Sequence, residues 1–222
     1  MISFQDVTKV YSNSWVALRD INLQINKGEF VFIQGPTGAG KTTILKLIYR
    51  EELPTRGEVM IQNRKLRELS PKEIPHLRRH IGIVFQDFKL LSDRTVYENL
   101  EFALAAINFP RTRMEEVIIK TLTQLGIGNK IENYPHQLSG GEQQKVAIAR
   151  ALAKDPEIIL ADEPTGNIDP ESAEEIIKIF LELANQGKTV IMATHNTEWP
   201  KVLKKRTVKL VAGRIVEDLI PG

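Results

Sequence analysis

A glycine-rich segment near the start of the chain has the spacing of a phosphate-binding loop, G-x-x-x-x-G-K-[ST]. Glycines let main-chain N–H groups approach phosphate oxygens closely, and a helix that begins at Lys41 would add the positive end of its dipole. Lys41 supplies a mobile positive charge for the terminal phosphates, and Thr42 supplies a hydroxyl ligand for Mg²⁺. The segment therefore predicts phosphate binding, against the alternative of a flexible turn that matches by chance. It comprises Gly35, Pro36, Thr37, Gly38, Ala39, Gly40, Lys41 and Thr42.

Two carboxylates follow an apolar run, residues 158–161, which has the length of a buried strand. Ligands of α/β sheets bind beyond the carboxyl ends of such strands. Asp162 is therefore the candidate metal ligand, and Glu163 is the candidate general base that would orient and polarise an attacking water. Taken alone, the pair could also be two solvated acids at the start of a loop. The phosphate-binding loop favours the catalytic interpretation.

Two further polar residues end apolar runs of strand length. His195 follows residues 189–194 and is placed to contact the terminal phosphate and to hold the water and Glu163 in line. Gln86 follows residues 81–85, where its amide would reach the metal and the attacking water. The alternative for His195 is a structural histidine, and a single loop glutamine ordinarily carries no function. The predicted catalytic set is Lys41, Gln86, Glu163 and His195.

A second candidate anion site occurs where Ser139, Gly140 and Gly141 open a predicted helix. Helix capping alone would account for this Ser-Gly-Gly start. However, the chain contains no second phosphate-binding loop for this site to serve. We therefore expect two chains to face each other head to tail, so that each Ser-Gly-Gly segment closes on the nucleotide held by the other chain.

The periodicity of apolar residues predicts the elements that must position these side chains. Continuous apolar runs at 30–33, 81–85, 158–161 and 190–193 are typical of strands buried on both faces. Residues 21–25 alternate between apolar and polar, as in a half-buried strand. Helical spacing dominates residues 95–125 and recurs at 170–185, and a hairpin is expected over 207–217. The chain is thus predicted to be one α/β domain that is interrupted by a helical insert.

Composition narrows the classes of function. Lys and Arg number 30 and Asp and Glu number 28, so the net charge of +2 gives no indication of nucleic-acid binding. Cysteine is absent, which excludes disulfides, thiolate zinc sites and cysteine nucleophiles. No run approaches the roughly 18 apolar residues of a membrane span, and residues 1–6 lack the pattern of a signal peptide. We expect a cytosolic protein that reaches a membrane only through a partner.

Together these motifs resemble those of the ATP-binding subunits of ABC (ATP-binding cassette) ATPases, over nearly the whole chain. The Walker A (35–43), Q-loop (Gln86), signature (138–143), Walker B (158–163), D-loop (167–169) and switch (His195) segments occur in family order. The resemblance implies a P-loop NTPase (RecA-like) core, residues 1–86 and 156–222, with an N-terminal antiparallel β subdomain and an inserted α-helical subdomain at about 87–155. It also implies that ATP binds with Mg²⁺, which Thr42, Gln86 and Asp162 would hold. The other nucleotide-binding residues that it implies are Tyr11 and Val16 at the adenine, Thr43 in Walker A, Ser139 and Gly141 at the partner's γ-phosphate, and Asp169 between the two sites.

Within this family, residues 86–91, 93–99 and 162–167 are similar to those of cell-division ATPases of the FtsE type. That similarity implies an ATP-dependent homodimer, peripheral on the cytoplasmic side of the inner membrane, with an FtsX-like integral-membrane partner and other division proteins. The partner would relay the movement to peptidoglycan hydrolases, and no direct contact with nucleic acid is expected. ATPases of lipoprotein-release and macrolide exporters share several of these residues and are the alternative. A soluble ABC protein acting on nucleic acid or ribosomes is disfavoured, because the chain has neither a long coiled-coil insertion nor a second cassette.

Overall fold

The computed structural model describes residues 1–12 and 14–220, so residues 13, 221 and 222 of the predicted core range lie outside the described part. The strands are β1 (Ile2–Val10), β2 (Val16–Ile25), β3 (Phe30–Gln34), β4 (Arg56–Ile61), β5 (Arg64–Lys65), β6 (Ile81–Val84), β7 (Ile158–Asp162), β8 (Thr189–Thr194), β9 (Arg206–Val211) and β10 (Arg214–Leu219). The helices are α1 (Lys41–Ile48), α2 (Ile74–Arg79), α3 (Val96–Ala105), α4 (Arg111–Gln124), α5 (Gly140–Leu152), α6 (Pro170–Asn185) and α7 (Glu198–Leu203).

The strands form two sheets on either side of α1. The six-stranded sheet has the order β10-β9-β3-β8-β7-β6, in which only β10 is antiparallel to its neighbour. The four-stranded sheet, β2-β1-β4-β5, is antiparallel throughout. Apolar residues of both sheets bury α1 between them, with Ile44 and Ile48 fully buried. The continuous apolar runs of β3, β7 and β8 are buried on both faces, which confirms the predicted α/β core and its antiparallel β subdomain.

The other face of the six-stranded sheet carries most of the remaining helices, whereas Leu77 of α2 packs against the first core. α5 and α6 pack against this face, and α3 and α4 pack against α5 in a second apolar core. Between β6 and β7 the described chain contains helices and no strand, as the helical spacing predicts. The helical region therefore joins the core mainly through α5.

None of the helices in residues 1–12 and 14–220 is long and apolar enough to cross a membrane.

A half-buried lysine, Lys154, follows α5 just beyond the end of that helix. The Lys154 ammonium donates to the carbonyl oxygen of Arg78 at 2.6 Å, and no carboxylate pairs with it in the described part of the chain. Burial lowers the pKa of Lys154 to about 8. The folded chain therefore binds the proton of this side chain less tightly than the unfolded chain does, although Lys154 stays mostly charged at neutral pH.

This lysine gives a prediction about stability and pH. The unfolded chain keeps Lys154 protonated up to about pH 10.4, whereas the folded chain releases the proton near pH 8. The free energy of unfolding of the parent chain should therefore rise between pH 8 and 10, relative to that of Lys154→Met. Lys154→Arg should behave like the Met variant, because guanidinium does not deprotonate in this range. Urea unfolding at both pH values measures the slopes, and equal slopes in all three proteins would contradict the prediction.

Candidate functional site

The carboxyl ends of four parallel strands bring the predicted residues together. β3, β8, β7 and β6 are successive neighbours, so the chain leaves all four at the same edge of the sheet. One cavity lies at this edge. Its lining consists of Thr37, Gly38, Gly40, Lys41, Thr42, Thr43, Gln86, Asp162, Glu163 and His195, together with Trp15. Residues that are far apart in the sequence thus form one site because of the strand order.

The phosphate-binding loop has a conformation that favours glycine at its last position. Gly40 has a φ of 104°, and a Cβ there would lie 2.5 Å from the carbonyl oxygen of Ala17. Helix α1 begins at the next residue, so its first N–H groups point toward the loop. The buried Lys41 ammonium donates to the carbonyl oxygens of Gly35 at 2.8 Å and Pro36 at 3.1 Å, and Ala39 is buried beneath the loop. The loop is therefore preformed around its lysine.

Thr42 and Asp162 place two oxygen atoms side by side. The Thr42 hydroxyl donates to Asp162 Oδ1 at 3.2 Å. Burial raises the pKa of the Asp162 carboxyl; the bond from Thr42 opposes this, and the negative charge of Glu163 adds to it. A carboxylate and a hydroxyl are hard oxygen ligands, and a divalent cation would offset the unfavourable charge of the buried acid. This donor set fits Mg²⁺.

The Glu163 carboxylate contacts two other predicted site residues, Lys41 and His195. Its Oε1 lies 3.2 Å from the Lys41 ammonium, and its Oε2 lies 2.8 Å from His195 Nδ1. The main-chain N–H of His195 also donates to Oε2, at 3.1 Å. Glu163 adopts a positive φ of 48°, which is uncommon for a residue with a side chain and is typical of functional sites. The structure thus brings Glu163, His195 and Lys41 into direct contact.

Gln86 lines the cavity, but its hydrogen bonds are to Asn167, which is not part of the lining. The Asn167 amide donates to the Gln86 carbonyl oxygen at 3.0 Å, and Gln86 Nε2 donates to Asn167 Oδ1 at 3.5 Å. Asn167 lies in the predicted D-loop, for which the sequence indicates no such contact. A reciprocal pair of this kind joins residues 81 positions apart, so only the tertiary structure could reveal it.

The first two strands carry an aromatic pair next to the phosphate-binding loop. The rings of Tyr11 and Trp15 stack at a centroid distance of 5.4 Å and an interplanar angle of 13°. Both line a shallow cavity with Thr42, Thr43 and Lys46, and the Tyr11 hydroxyl lies 3.4 Å from Thr43 Oγ1. Val16 begins β2 and does not line either cavity. Trp15 is a site residue that the sequence reasoning missed; the available signal was two aromatic residues four positions apart between adjacent strands.

The Ser-Gly-Gly segment lies outside the cavity. Ser139 is exposed and caps α5: its hydroxyl accepts from the Glu142 N–H at 3.2 Å, and Glu142 Oε2 accepts from the Ser139 N–H at 2.8 Å. Gly140 approaches the carbonyl oxygen of Asn167, and a Cβ on Gly141 would lie 2.3 Å from Ser172 Oγ. This segment does not meet the phosphate-binding loop of its own chain.

Asp169 also lies outside the cavity and has a structural contact of its own. Its carboxylate caps α6 by accepting from the Ser172 N–H at 2.9 Å. That bond lowers the pKa of the Asp169 carboxyl, which keeps the side chain negative. The exposed tips of α5 and α6 thus lie next to each other, since Ser172 is also the residue beside Gly141.

Comparisons with known proteins agree with this geometry. The profile of the ABC transporter family matches residues 18–166. The chain is 46% identical to the cell division ATP-binding protein FtsE of Bacillus subtilis, over 98% of this chain and 96% of that protein. It is 44% identical to FtsE of Mycobacterium tuberculosis, over 98% and 95%, and 42% identical to FtsE of Escherichia coli K12, over 88% of each chain.

Solved structures show the same likeness. A dimeric structure of MJ0796, described as a bacterial ABC transporter cassette, matches with a TM-score of 0.90 and 37% identity, over 100% of this chain and 99% of that one. A dimeric post-hydrolysis state of the same cassette, bound to ADP and Pi, matches with a TM-score of 0.90 and 36% identity, over the same shares. Fold, site geometry and relatives agree: the chain belongs to the ABC transporter family and is an ATP-binding ATPase of the ABC type.

Proposed function

We propose that this chain is the ATPase subunit of a membrane-associated ABC complex that acts in cell division. The observation that carries the proposal is the separation of the site into two parts. One part is the cavity that contains Lys41, Asp162 and Glu163, and the other is the exposed tip at Ser139, which is not among the residues that line that cavity. The relatives named as cell division ATP-binding proteins, at 40–46% identity, support the role in division.

ATP binding requires Lys41 to change partners. Its ammonium now contacts Glu163 as well as the two loop carbonyls. Phosphate oxygens entering the loop would compete with Glu163 for this charge, and the N–H groups of the loop would bind the remaining phosphate charge. Mg²⁺ would be held by Thr42, Asp162 and Gln86 and would neutralise the β- and γ-phosphates. Glu163 Oε1 is then free to accept a proton.

Glu163 and His195 act on the attacking water. Because His195 occupies Oε2 of the carboxylate, Oε1 is the oxygen that remains for the water proton. The second ring nitrogen of His195 is available to the γ-phosphate. The water oxygen forms a bond to the γ-phosphorus as the bond to ADP breaks, and the proton passes to Glu163. Positioning and charge neutralisation provide the acceleration, and no covalent intermediate with the protein forms.

The exposed tip of α5 supplies the missing side of the site in a head-to-tail homodimer. The Ser139 hydroxyl accepts a main-chain N–H but still has its own proton to donate. Gly140 adds no side chain at the start of α5, where the first N–H groups of the helix would bind an anion, and Gly141 packs against Ser172. The dimers formed by the related cassette support this arrangement. ATP would join two chains, and hydrolysis would part them.

A groove between the core and the helical region suits a membrane partner. Its apolar lining includes Phe85, Phe102 and Ile107, and its charged lining consists of Arg78, Arg79, Arg150 and Lys154, without a carboxylate. Phe102 is 52% exposed, and Arg79 Nε is buried without a hydrogen-bond partner. An amphipathic segment that carries carboxylates would cover the apolar residues of the groove and pair with its positive charges. We assign this groove to an FtsX-like integral-membrane protein, which would hold the ATPase on the cytoplasmic face of the inner membrane and relay its movement to peptidoglycan hydrolases.

Co-purification from detergent-solubilised membranes tests this function. The tagged chain should recover an integral-membrane protein with four spans and a modest extracytoplasmic domain. Arg79→Glu should lose that protein, whereas Arg111→Glu, on the exposed start of α4, should retain it. Recovery of a partner with a large periplasmic domain would favour the exporter alternative, which the transporter cassette among the solved relatives also supports. Recovery of ribosomes or RNA would overturn both.

The aromatic pair gives a prediction about nucleotide affinity. Tyr11→Ala removes one stacking surface and should weaken ATP binding by about 1–3 kcal/mol. Tyr11→Phe keeps the ring and removes only the hydroxyl near Thr43, so it should retain most of the affinity. Equilibrium titration with ATP measures both. Parental affinity in the Ala variant would assign Tyr11 to packing against Trp15 alone.

A further inference from the structure

The loop after β6 is held by side chains from two other elements. Asn167 donates to the carbonyl oxygen of Gln86 at 3.0 Å. The Arg150 guanidinium donates to the carbonyl oxygen of Phe88 at 2.8 Å and also to that of Lys89. Three main-chain acceptors within four residues are therefore bonded by side chains that come from the D-loop and from α5.

The loop needs this support because of its backbone conformation. Phe88 and Lys89 have φ values of 58° and 51°, in the left-handed region that residues with side chains rarely adopt. Such a conformation persists only where the surroundings hold it. Arg150 is suited to this task because its planar guanidinium bonds both carbonyls at once. No carboxylate pairs with Arg150 in residues 1–12 and 14–220, so these carbonyls are its hydrogen-bond partners.

Both supporting elements also contribute to the exposed tip at Ser139, which lies outside the cavity. Arg150 lies on the same helix as the cap Ser139, about 16 Å along its axis at 1.5 Å per residue. Asn167 lies beside Gly140, whose Cβ would approach the Asn167 carbonyl oxygen to 3.2 Å. The ion pair between Lys145 and Glu175, at 2.6 Å, fixes α5 to α6. A displacement at Ser139 would therefore move Arg150 and Asn167 together.

We propose that Arg150 and Asn167 are positioning residues that hold the Gln86 loop and carry movement of the partner-facing tip to Gln86. The role of Gln86 as a ligand of Mg²⁺ rests on the proposed function, whereas the role of Arg150 and Asn167 in holding the loop is independent of it. When a second chain contacts Ser139, α5 shifts the backbone of residues 86–89 through Arg150. Binding of the partner chain thereby changes the position of Gln86, the residue proposed to contact the metal and the water.

Hydrogen exchange of the whole, nucleotide-free chain tests whether Arg150 and Asn167 hold the loop. Arg150→Lys keeps the charge but loses the bidentate bond, and Asn167→Ala removes the bond to Gln86 from an exposed loop where misfolding is not expected. Each should speed exchange of residues 86–90 about tenfold, the effect of losing one hydrogen bond to a charged or amide group. Arg67→Lys is the matched control. It also bonds two main-chain carbonyls, those of Pro54 and Gly57, and should leave residues 86–90 unchanged.

The link to the metal is tested by binding rather than by turnover. In the Glu163→Gln background, the Mg²⁺ concentration that half-maximally tightens ATP binding should rise about tenfold with Arg150→Lys and stay unchanged with Arg67→Lys. Unchanged exchange in both Arg150→Lys and Asn167→Ala, or equal acceleration in Arg67→Lys, would overturn the proposal. Faster exchange together with an unchanged Mg²⁺ dependence would overturn the link to Gln86. Failure of the proposed function would show as absence of a membrane partner in the co-purification and would leave the exchange and Mg²⁺ results valid.

Discussion

Glu163→Gln is expected to lower ATP turnover about a hundredfold or more and to let ATP-bound dimers accumulate. General-base catalysis typically contributes this much, and an amide cannot take the water proton. Glutamine has nearly the same size and can still accept the His195 N–H bond, so the cavity should keep its shape. Removing the carboxylate also removes the ion pair with Lys41, which leaves the ammonium to the phosphates. Phosphate release and size-exclusion chromatography with ATP measure the two effects.

Glu157→Gln is the matched control for this prediction. Glu157 directly precedes β7, whereas Glu163 directly follows it, so the same chemical change is made at the opposite end of one strand. Turnover of the control should stay within about twofold of the parent, since surface changes away from a site have small effects. Near-normal hydrolysis by Glu163→Gln would remove Glu163 from the role of base. Lost activity in both variants would indicate damage to β7.

Mixing two inactive variants is expected to restore activity. Lys41→Ala breaks the phosphate-binding loop, and Ser139→Arg breaks the tip of α5, so neither homodimer has a complete site. In a head-to-tail heterodimer, one site combines the intact Lys41 of one chain with the intact Ser139 of the other. Random pairing of equal amounts should therefore recover about a quarter of the parental sites. ATPase activity of the mixture, compared with that of each variant alone, measures the recovery.

The controls separate shared sites from damaged folds. Mixing Lys41→Ala with a chain that carries both changes leaves no intact Lys41 and should recover nothing. Arginine at position 139 cannot cap α5, which costs about 1 kcal/mol of helix stability, so the melting temperature of that variant should fall only slightly. Absence of any recovery in the productive mixture, with both chains folded, would contradict a site shared between two chains.

Local chemistry explains which elements the sequence predicts well. The runs that became β3, β7 and β8 are apolar throughout, because strands covered on both faces have no solvent side. The predicted helix at 170–185 agrees with α6, whose N-cap and apolar stripe are local features. Strands β4 and β5 and helix α2 lacked such signals: β4 mixes exposed and buried residues, and α2 buries none of its side chains fully. Their placement depends on neighbours that are distant in sequence.

Local patterns along the chain were enough to predict residues that line the cavity. The spacing of residues 35–42, and the polar residues that end apolar runs, depend only on nearest neighbours along the chain, so Lys41, Asp162 and Glu163 could be proposed without coordinates. Which groups meet is a property of the folded chain. Trp15 stacks on Tyr11, Asn167 bonds to Gln86, and Ser139 lies outside the cavity at its own phosphate-binding loop. These contacts follow from strand order and helix packing, which bring together residues whose separation in the chain carries no information about their distance in space.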